Sequence, residues 1–254
     1  ASRKIYPMSN DPLVSVVIPA YNAAGFIAKT LESVRSQILR DYEIIIVDDG
    51  SHDNTKEIVD HYLISHGLRG CCLRQENRGI AAARNVGIAN ARGTFIALLD
   101  HDDIWYPLKL QKAIDEFNLH PDVGLVCHNL LMIKNGKADG ILKTGPESKN
   151  MYESILFYSR RGAPLTPSAT VFKKKSFLEV GGFRENPEFN TAEDFDFWLR
   201  LSKIIKFRFI NETLGEYTII DSGASKKSLY HCQSVEAVLK DHFVSYLGSD
   251  PGWI

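Results

Sequence analysis

The sequence predicts an α/β protein with a mostly parallel sheet flanked by helices. Short β-branched runs are apolar at nearly every position, as in strands buried on both faces, and between them apolar residues recur at helical spacing. Several of these runs end in carboxylates or turn formers, at the strand ends where open α/β sheets bind ligands.

The first such run is "LVSVVIP", Leu13 to Pro19, and after it Ile27, Leu31, Val34 and Ile38 give a helical stripe. The second, "YEIIIVDDGS", ends in Asp48-Asp49-Gly50. A helix follows from about Asn54, with Ile58, Tyr62 and Leu63 inward and Ser51 or Asp53 as its cap. "GCCLRQE" reads as a shorter strand, and "GIAAARNVGIANARG" as an Ala-rich helix closing at Gly93. The fourth strand begins at Thr94 in "TFIALLDHDDIWYP". Pro107 then starts a helix whose buried stripe is Leu110, Ile114 and Phe117, and "VGLVCHN" is a further strand. Strands separated by helices imply right-handed parallel crossovers. That topology places Pro19-Ala20-Tyr21-Asn22, Asp48-Asp49 and Asp100-His101-Asp102-Asp103 on one rim.

The second half is less regular. Residues 134–163 read as loops with a short helix at "MYESILFYS". "SATVFKK" and "KFRFI" read as strands, with the helix "AEDFDFWLRLSK" between them. From Ser225 a terminal helix carries Val235, Val238, Leu239 and Phe243 on one side.

The 254 residues suffice for a substantial core, and 30 basic against 31 acidic residues exclude an electrostatic case for nucleic acid or an anionic membrane. Basic residues are densest between Lys134 and Lys175, at Arg160-Arg161 and Lys173-Lys174-Lys175. They form either a solvated face or an attraction for an anionic or lipid-phosphate-linked substrate. The cysteines Cys71, Cys72, Cys127 and Cys232 show no metal spacing, and three of them fall among apolar residues. No apolar run nears the ~20 residues that span a bilayer, and the start lacks a signal-peptide core. The expectation is a cytoplasmic protein, with peripheral contact at the inner membrane face allowed.

Like charges packed as Asp100-His101-Asp102-Asp103 need compensation, and a hard divalent cation such as Mg²⁺ or Mn²⁺ shared with a diphosphate supplies it. The other reading is a solvated acidic turn in which Asp103 caps the next helix. Asp49 offers a fixed acceptor for a base N–H, and Tyr21 a ring for a base to stack on. Arg84 could neutralise a phosphate or rim carboxylate, or serve as an ion pair holding Asp48 or Asp100. Neither GxGxxG after the first strand nor GxxxxGK[ST] is present, so a nucleotide here would have its phosphates held by metal.

The succession "VSVVIPAYNAAGFIAKTLESVRSQ", "YEIIIVDDGSHDNT", "NRGIAAARNVGIANARGTFIALLDHDDIW" and "GGFRENPEFNTAEDFDFWLRL" resembles family 2 glycosyltransferases. These are inverting enzymes of the GT-A fold that use nucleotide-diphospho-sugars. The resemblance runs from about Val14 to Leu201. It implies that Pro19, Ala20 and Tyr21, with Asn22 beside them, line the nucleotide, and that Asp49 contacts the base. It implies too that Asp100-His101-Asp102 holds ribose and metal, Asp100 and Asp102 being the Mn²⁺ or Mg²⁺ ligands. The family's base lies in an "ED" pair, here Glu193-Asp194, and Asp194 is the expected base with Asp196 as fallback. At a helix N-terminus the dipole would lower its basicity. Gly181-Gly182-Phe183 would form a tight turn near the acceptor, and Trp198 could stack on a sugar.

One departure stands out: relatives carry Arg and His where "GEYTIIDSGAS" runs here, with Thr218 and Ile220 in the matching places and Asp221 as a possible substitute. The implied organisation is a lead (1–12), a nucleotide-sugar-binding half (13–128), an acceptor-binding and catalytic half (129–224) and a helical tail (225–254). The implied activity is transfer from a nucleotide-sugar donor, UDP foremost with dTDP and GDP open. The acceptor would be a saccharide, lipid-linked or other hydroxyl, as in polysaccharide or glycoconjugate synthesis. The alternative is a nucleotide-sugar-binding protein with little turnover.

Overall fold

The computed structural model describes residues 11–145, 148–158, 165–220 and 228–249. The first half alternates as expected. Strand β1 (Val14–Ala20) leads to α1 (Ile27–Arg35), β2 (Tyr42–Asp48) to α2 (Thr55–Ser65), and β3 (Gly70–Arg74) to α3 (Ile80–Asn90). Then come β4 (Phe95–Leu98), a short β5 (Ile104–Trp105) and α4 (Lys109–Leu119). The second half comprises β6 (Val123–Lys134), β7 (Lys137–Leu142), α5 (Met151–Tyr158), β8 (Thr170–Lys173), α6 (Lys174–Val180), α7 (Glu193–Ser202), β9 (Lys206–Ile219) and α8 (Ser228–Ser249).

All these strands form one nine-stranded sheet in the order β3-β2-β1-β4-β8-β6-β9-β5, with β7 paired to β6. β3, β2, β1 and β4 run parallel, and the β-branched side chains of β1 and β2 are buried on both faces, while β3 at the edge is half-exposed. β8 enters antiparallel between β4 and β6, while β9 lies parallel to β6. The sheet is therefore continuous from β1 across the expected boundary at 128/129 to the end of β9 at Ile219.

Alternate residues of β1 face opposite cores. Val14, Val16 and Ile18 pack with Ile27 and Leu31 of α1, Val59 of α2 and Ile114 of α4. Val17 faces the other way, toward Ala83 and Ile88 of α3, Phe197 of α7 and Val238 of α8. Fully burying side chains of this size contributes ~1.5–3 kcal/mol each.

Several expectations about ends and loops need correction. The Ala-rich helix stops at Asn90, not Gly93. A Cβ on Gly93 would lie 2.5 Å from the Ser15 nitrogen, so its smallness serves close packing on β1. Residues 134–142 form a hairpin instead of a loop: Asn135 and Gly136 have φ of 51° and 72°, as a tight two-residue turn demands. "KFRFI" is only the start of a strand that continues to Ile219. Cys71 is exposed and Cys72 half-buried on β3, so only Cys127 among the described cysteines is a fully buried one. All four are free thiols.

Candidate active site

The loops after β1 and β2 are tied together. Asn22, at φ 49°, donates its N–H to Ser51 Oγ (2.9 Å) and accepts from the His52 N–H on Oδ1 (2.8 Å). Ala23 N donates to Thr55 Oγ1, and Asp53 accepts from both the N–H and hydroxyl of Thr55, so Asp53 organises the start of α2. Pro19 and Ala20 are buried beneath this knot. Above it Tyr21 is 42 % exposed, its ring edge-on to His52 at 6.5 Å. His52 opens onto a cleft of about 480 Å³ lined also by Gly50, Arg74, Gln75, Glu76 and Asn77.

The two carboxylates ending β2 differ in task. Asp48, fully buried, accepts from the Ser51 N–H and lies 3.5 Å from Arg74. Asp49 accepts on Oδ1 from Gln75 Nε2 (2.7 Å) and the Arg78 N–H (2.9 Å), and on Oδ2 from the Gly79 N–H (2.9 Å). It thus builds the 75–79 loop, and Oδ2, with a single partner, retains acceptor capacity. Gln75 lay outside every motif, and Arg78 and Gly79, which open the "NRGIAAARN" stretch, were given no role from the sequence.

At the end of β4, the Asp100 N–H donates to Ser168 Oγ (3.0 Å) in the turn before β8, and His101 Nδ1 lies 3.2 Å from the Pro19 carbonyl. His101 therefore braces the acidic turn against β1. Asp103 does not cap α4, which begins at Lys109. It is 1 % exposed and accepts the Thr218 N–H on Oδ1 (2.8 Å), while Oδ2 is buried without a hydrogen bond among the described residues. Burial, followed by the charges of Asp102 and Asp100, raises its carboxyl well above the usual range. Asp102 is raised too, by burial first, with His101 opposing and Asp100 adding. Thr218 thus brings the end of β9 against the acidic turn; Asp221 lies outside the described residues.

Arg84 is 2 % exposed, so it meets carboxylates and not open cleft. Nη2 donates to Asp100 Oδ1 (2.9 Å) and Nη1 to Glu193 Oε1 (2.5 Å), with Phe183 beneath at 5.5 Å. The ion-pair reading holds for Asp100, not for Asp48, and direct phosphate contact by Arg84 is set aside. Through this guanidinium, β4 and the first turn of α7 are joined. Asp194, next to Glu193, keeps part of its surface open and accepts the Phe195 N–H at 2.7 Å. Burial, then Glu193, push its carboxyl up to about 7, with Arg84 opposing. The expected loss of basicity at a helix start is outweighed.

Asp196 cannot be the fallback base. It is fully buried and bonded by Arg184, Arg200 (2.9 Å) and His242 Nε2 (3.0 Å), which hold its carboxyl far below the usual range although burial opposes them. Asp196, Asp241 and His242 place ligand atoms within 4.8 Å of one another, but Arg184 pairs with both carboxylates, which makes the group an ion-pair network. Trp198 is 1 % exposed against Phe172 and Phe197, so it is core and stacks on no sugar. Gly181 and Gly182 do form a tight turn, at φ of 78° and 76°. Lys173 and Lys174 donate to the carbonyls of Pro121 and Ala91, and Arg160-Arg161 lie outside the described residues. No helix among the described residues is long and apolar enough to cross a membrane.

Asp100 shares one oxygen with Arg84, while Asp102 and Asp103 have no cationic side chain in a salt bridge among the described residues. A buried orphan oxygen sits on Asp103.

This architecture, a parallel sheet with an acidic turn at the end of its fourth strand and mixed strands beyond, is the GT-A fold of sugar-nucleotide enzymes. The model of the family described as glycosyl transferase family 2 matches residues 15–179, and the chain belongs to that family. It is 28% identical over 235 residues to an uncharacterized glycosyltransferase of Rickettsia typhi, covering 90% of this chain and 70% of the relative. To chondroitin synthase of Escherichia coli it is 32% identical over 221 residues, covering 86% of this chain but 30% of that protein. Against hyaluronan synthase of Pasteurella multocida the values are 31% over 234 residues, 89% and 23%. Among solved structures, S. aureus TarS 1-349 in complex with UDP-GlcNAc superposes with a TM-score of 0.69 at 23% identity, covering 85% of this chain and 60% of that one. The mannosyltransferase PcManGT from Pyrobaculum calidifontis, in complex with GDP-Man and Mn2+, gives 0.68 at 20% identity, covering 91% and 65%. At these identities the likeness is one of fold.

Proposed function

We propose that this chain moves a sugar from a nucleotide-diphospho-sugar, UDP foremost, to an acceptor hydroxyl with inversion. The observation that carries this reading is the Arg84 bridge, which puts Asp100 and the Glu193-Asp194 turn around one guanidinium. In this reading Tyr21 stacks on the base, Asp49 accepts its N–H, and Pro19, Ala20 and Asn22 form the floor. Asp100 and Asp102 would hold Mn²⁺ or Mg²⁺, which would neutralise charge at the departing diphosphate. His101 orients the acidic turn through Pro19.

Asp194 takes the proton of the acceptor hydroxyl as that oxygen attacks C1. The C1–oxygen bond to the diphosphate breaks on the opposite face, and its electron pair leaves with the nucleotide. A carboxyl near 7 is poised for this task at neutral pH. Residues 13–128 would hold the donor and 129–224 the acceptor, with Arg84 and Glu193 joining them. The kinship with chondroitin and hyaluronan synthases supports a saccharide acceptor in polysaccharide or glycoconjugate synthesis.

The test is incubation with UDP-, dTDP- and GDP-sugars, Mn²⁺ and a panel of saccharide acceptors, reading product anomeric configuration by NMR. Inverted product from one donor class, absent in Asp194→Asn, is expected. Retained configuration would refute the mechanism. Nucleotide binding without transfer from any donor would leave a nucleotide-sugar-binding protein instead.

A further inference from the structure

The C-terminal helix α8 reaches the loop that delivers Glu193 and Asp194. Ser234, 2 % exposed, donates from Oγ to the Asn190 carbonyl at 2.5 Å. Asn190 Nδ2 donates to the Tyr230 hydroxyl at 3.2 Å, and Thr191 Oγ1 lies 3.2 Å from His231 Nδ1. Thr191 itself sits at φ 77°, a left-handed conformation that a β-branched residue rarely takes. Such a conformation persists only where surrounding contacts over-determine it. Directly after it the Ala192 N–H closes onto the Phe189 carbonyl, and the Asp196 N–H onto that of Ala192, which opens α7. Farther along, Arg184 ties Asp241 of α8 to Asp196 of α7.

We propose that α8 is a strap that aims the base. Ser234 is a positioning residue: with Tyr230 and His231 it holds Asn190-Thr191 in the strained turn that points the start of α7 at Arg84 and Asp100. Without the strap, Thr191 relaxes to negative φ, the chain entering Ala192 rotates, and Asp194 leaves its place. The base contacts proposed at the ends of β1 and β2 do not pass through this loop, and Asp100 keeps its own anchor, the N–H bond to Ser168 Oγ, so donor binding is spared. The inference rests on Asp194 as the base.

The experiment compares parent, Ser234→Ala and Ser234→Ala/Thr191→Gly proteins by amide hydrogen exchange, UDP calorimetry with Mn²⁺, and turnover of UDP-GlcNAc. Loss of this one buried hydroxyl should speed exchange at the Ala192 and Asp196 amides about ten-fold and cut kcat to a similar degree, with the UDP Kd and the Ile44–Val47 amides unchanged. Glycine takes positive φ without steric cost, so the double variant should recover most of the protection and turnover. Unchanged exchange at Ala192 and Asp196 would overturn the proposal. So would equal acceleration in β2, parental turnover despite loosened amides, or no recovery in the double variant. Exchange is read without substrate: if the parent turns over no nucleotide sugar, the transfer reading fails while the exchange result still decides the strap.

Discussion

Removing the proposed proton acceptor, Asp194, should leave a signature in pH as well as in rate. A solvated Asp carboxyl titrates near ~3.9, whereas burial and Glu193 push that of Asp194 up to about 7. A base works only when ionised, and kcat/KM reports the free enzyme. For one ionisation at about 7, roughly 9 % of the base is ionised at pH 6 and roughly 91 % at pH 8, so kcat/KM should climb about ten-fold between them and then level. Asp194→Asn should flatten that rise and lower the plateau ~10²–10⁴-fold. Arg84→Gln removes the cation that opposes the shift, so the midpoint should move to higher pH. Stability offers a check without substrate. Because the folded carboxyl holds its proton more tightly than the unfolded one, it favours the fold below pH ~4, and that contribution is lost as pH rises through about 7. Asp194→Asn should therefore lose less stability than the parent between pH 5 and pH 8 in urea titrations. A parental rate in Asp194→Asn, or a flat profile from pH 6 to 8, would refute the assignment.

Other expectations follow from the same geometry. UDP binding should require Mn²⁺ or Mg²⁺ and vanish with EDTA; Asp102→Ala should weaken metal by at least the ~10–100-fold that loss of an outer-shell partner costs, read by calorimetry. Asp196→Ala strands Arg184, Arg200 and His242, and should cost ~3–5 kcal/mol in urea unfolding. As the Asp196 carboxyl is held low, its stabilisation is present above pH ~4 and lost on acidification, so the variant should show a shallower acid limb. Gly87→Ala gains about 1 kcal/mol of helix propensity. Its Cβ, however, would meet Val17 Cγ1 at 2.5 Å. Overpacking of ~1–3 kcal/mol should win and lower the melting temperature.

β1 and β2 were legible because each is a β-branched run buried on both faces, and short helical connections leave few ways to order the parallel strands around them. β8 was not legible in its place: nothing local in "SATVFKK" tells that it inserts antiparallel between β4 and β6. β9 continues through Asn211-Glu212-Thr213 without apolar alternation, held by its long parallel register with β6. The β6–β7 hairpin did carry a signal, since Asn135-Gly136 is a tight-turn pair. In the site, the motif residues themselves stood out, but their partners did not. Ser168 behind Asp100 and Ser234 behind Asn190 are single hydroxyls whose roles exist only once distant segments meet.

The acidic turn after β4 is short of cations. Arg84 has two nitrogens engaged, one on Asp100 and one on Glu193, and both bonds are spent on orientation. Asp102, Asp103 and Asp194 are left with carboxyls raised first by burial and then by neighbouring carboxylates, Asp100 among them in each case. A second guanidinium would relieve them all, but by favouring the ionised form it would lower the basicity proposed for Asp194. In the proposed reading, leaving the charge uncompensated would keep two chemistries available side by side: a hard-cation site at Asp100 and Asp102, and a proton acceptor at Asp194. The local fold must then tolerate crowded acids, which is consistent with the many bonds that brace them from outside, through Thr218, Ser168, Pro19 and α8.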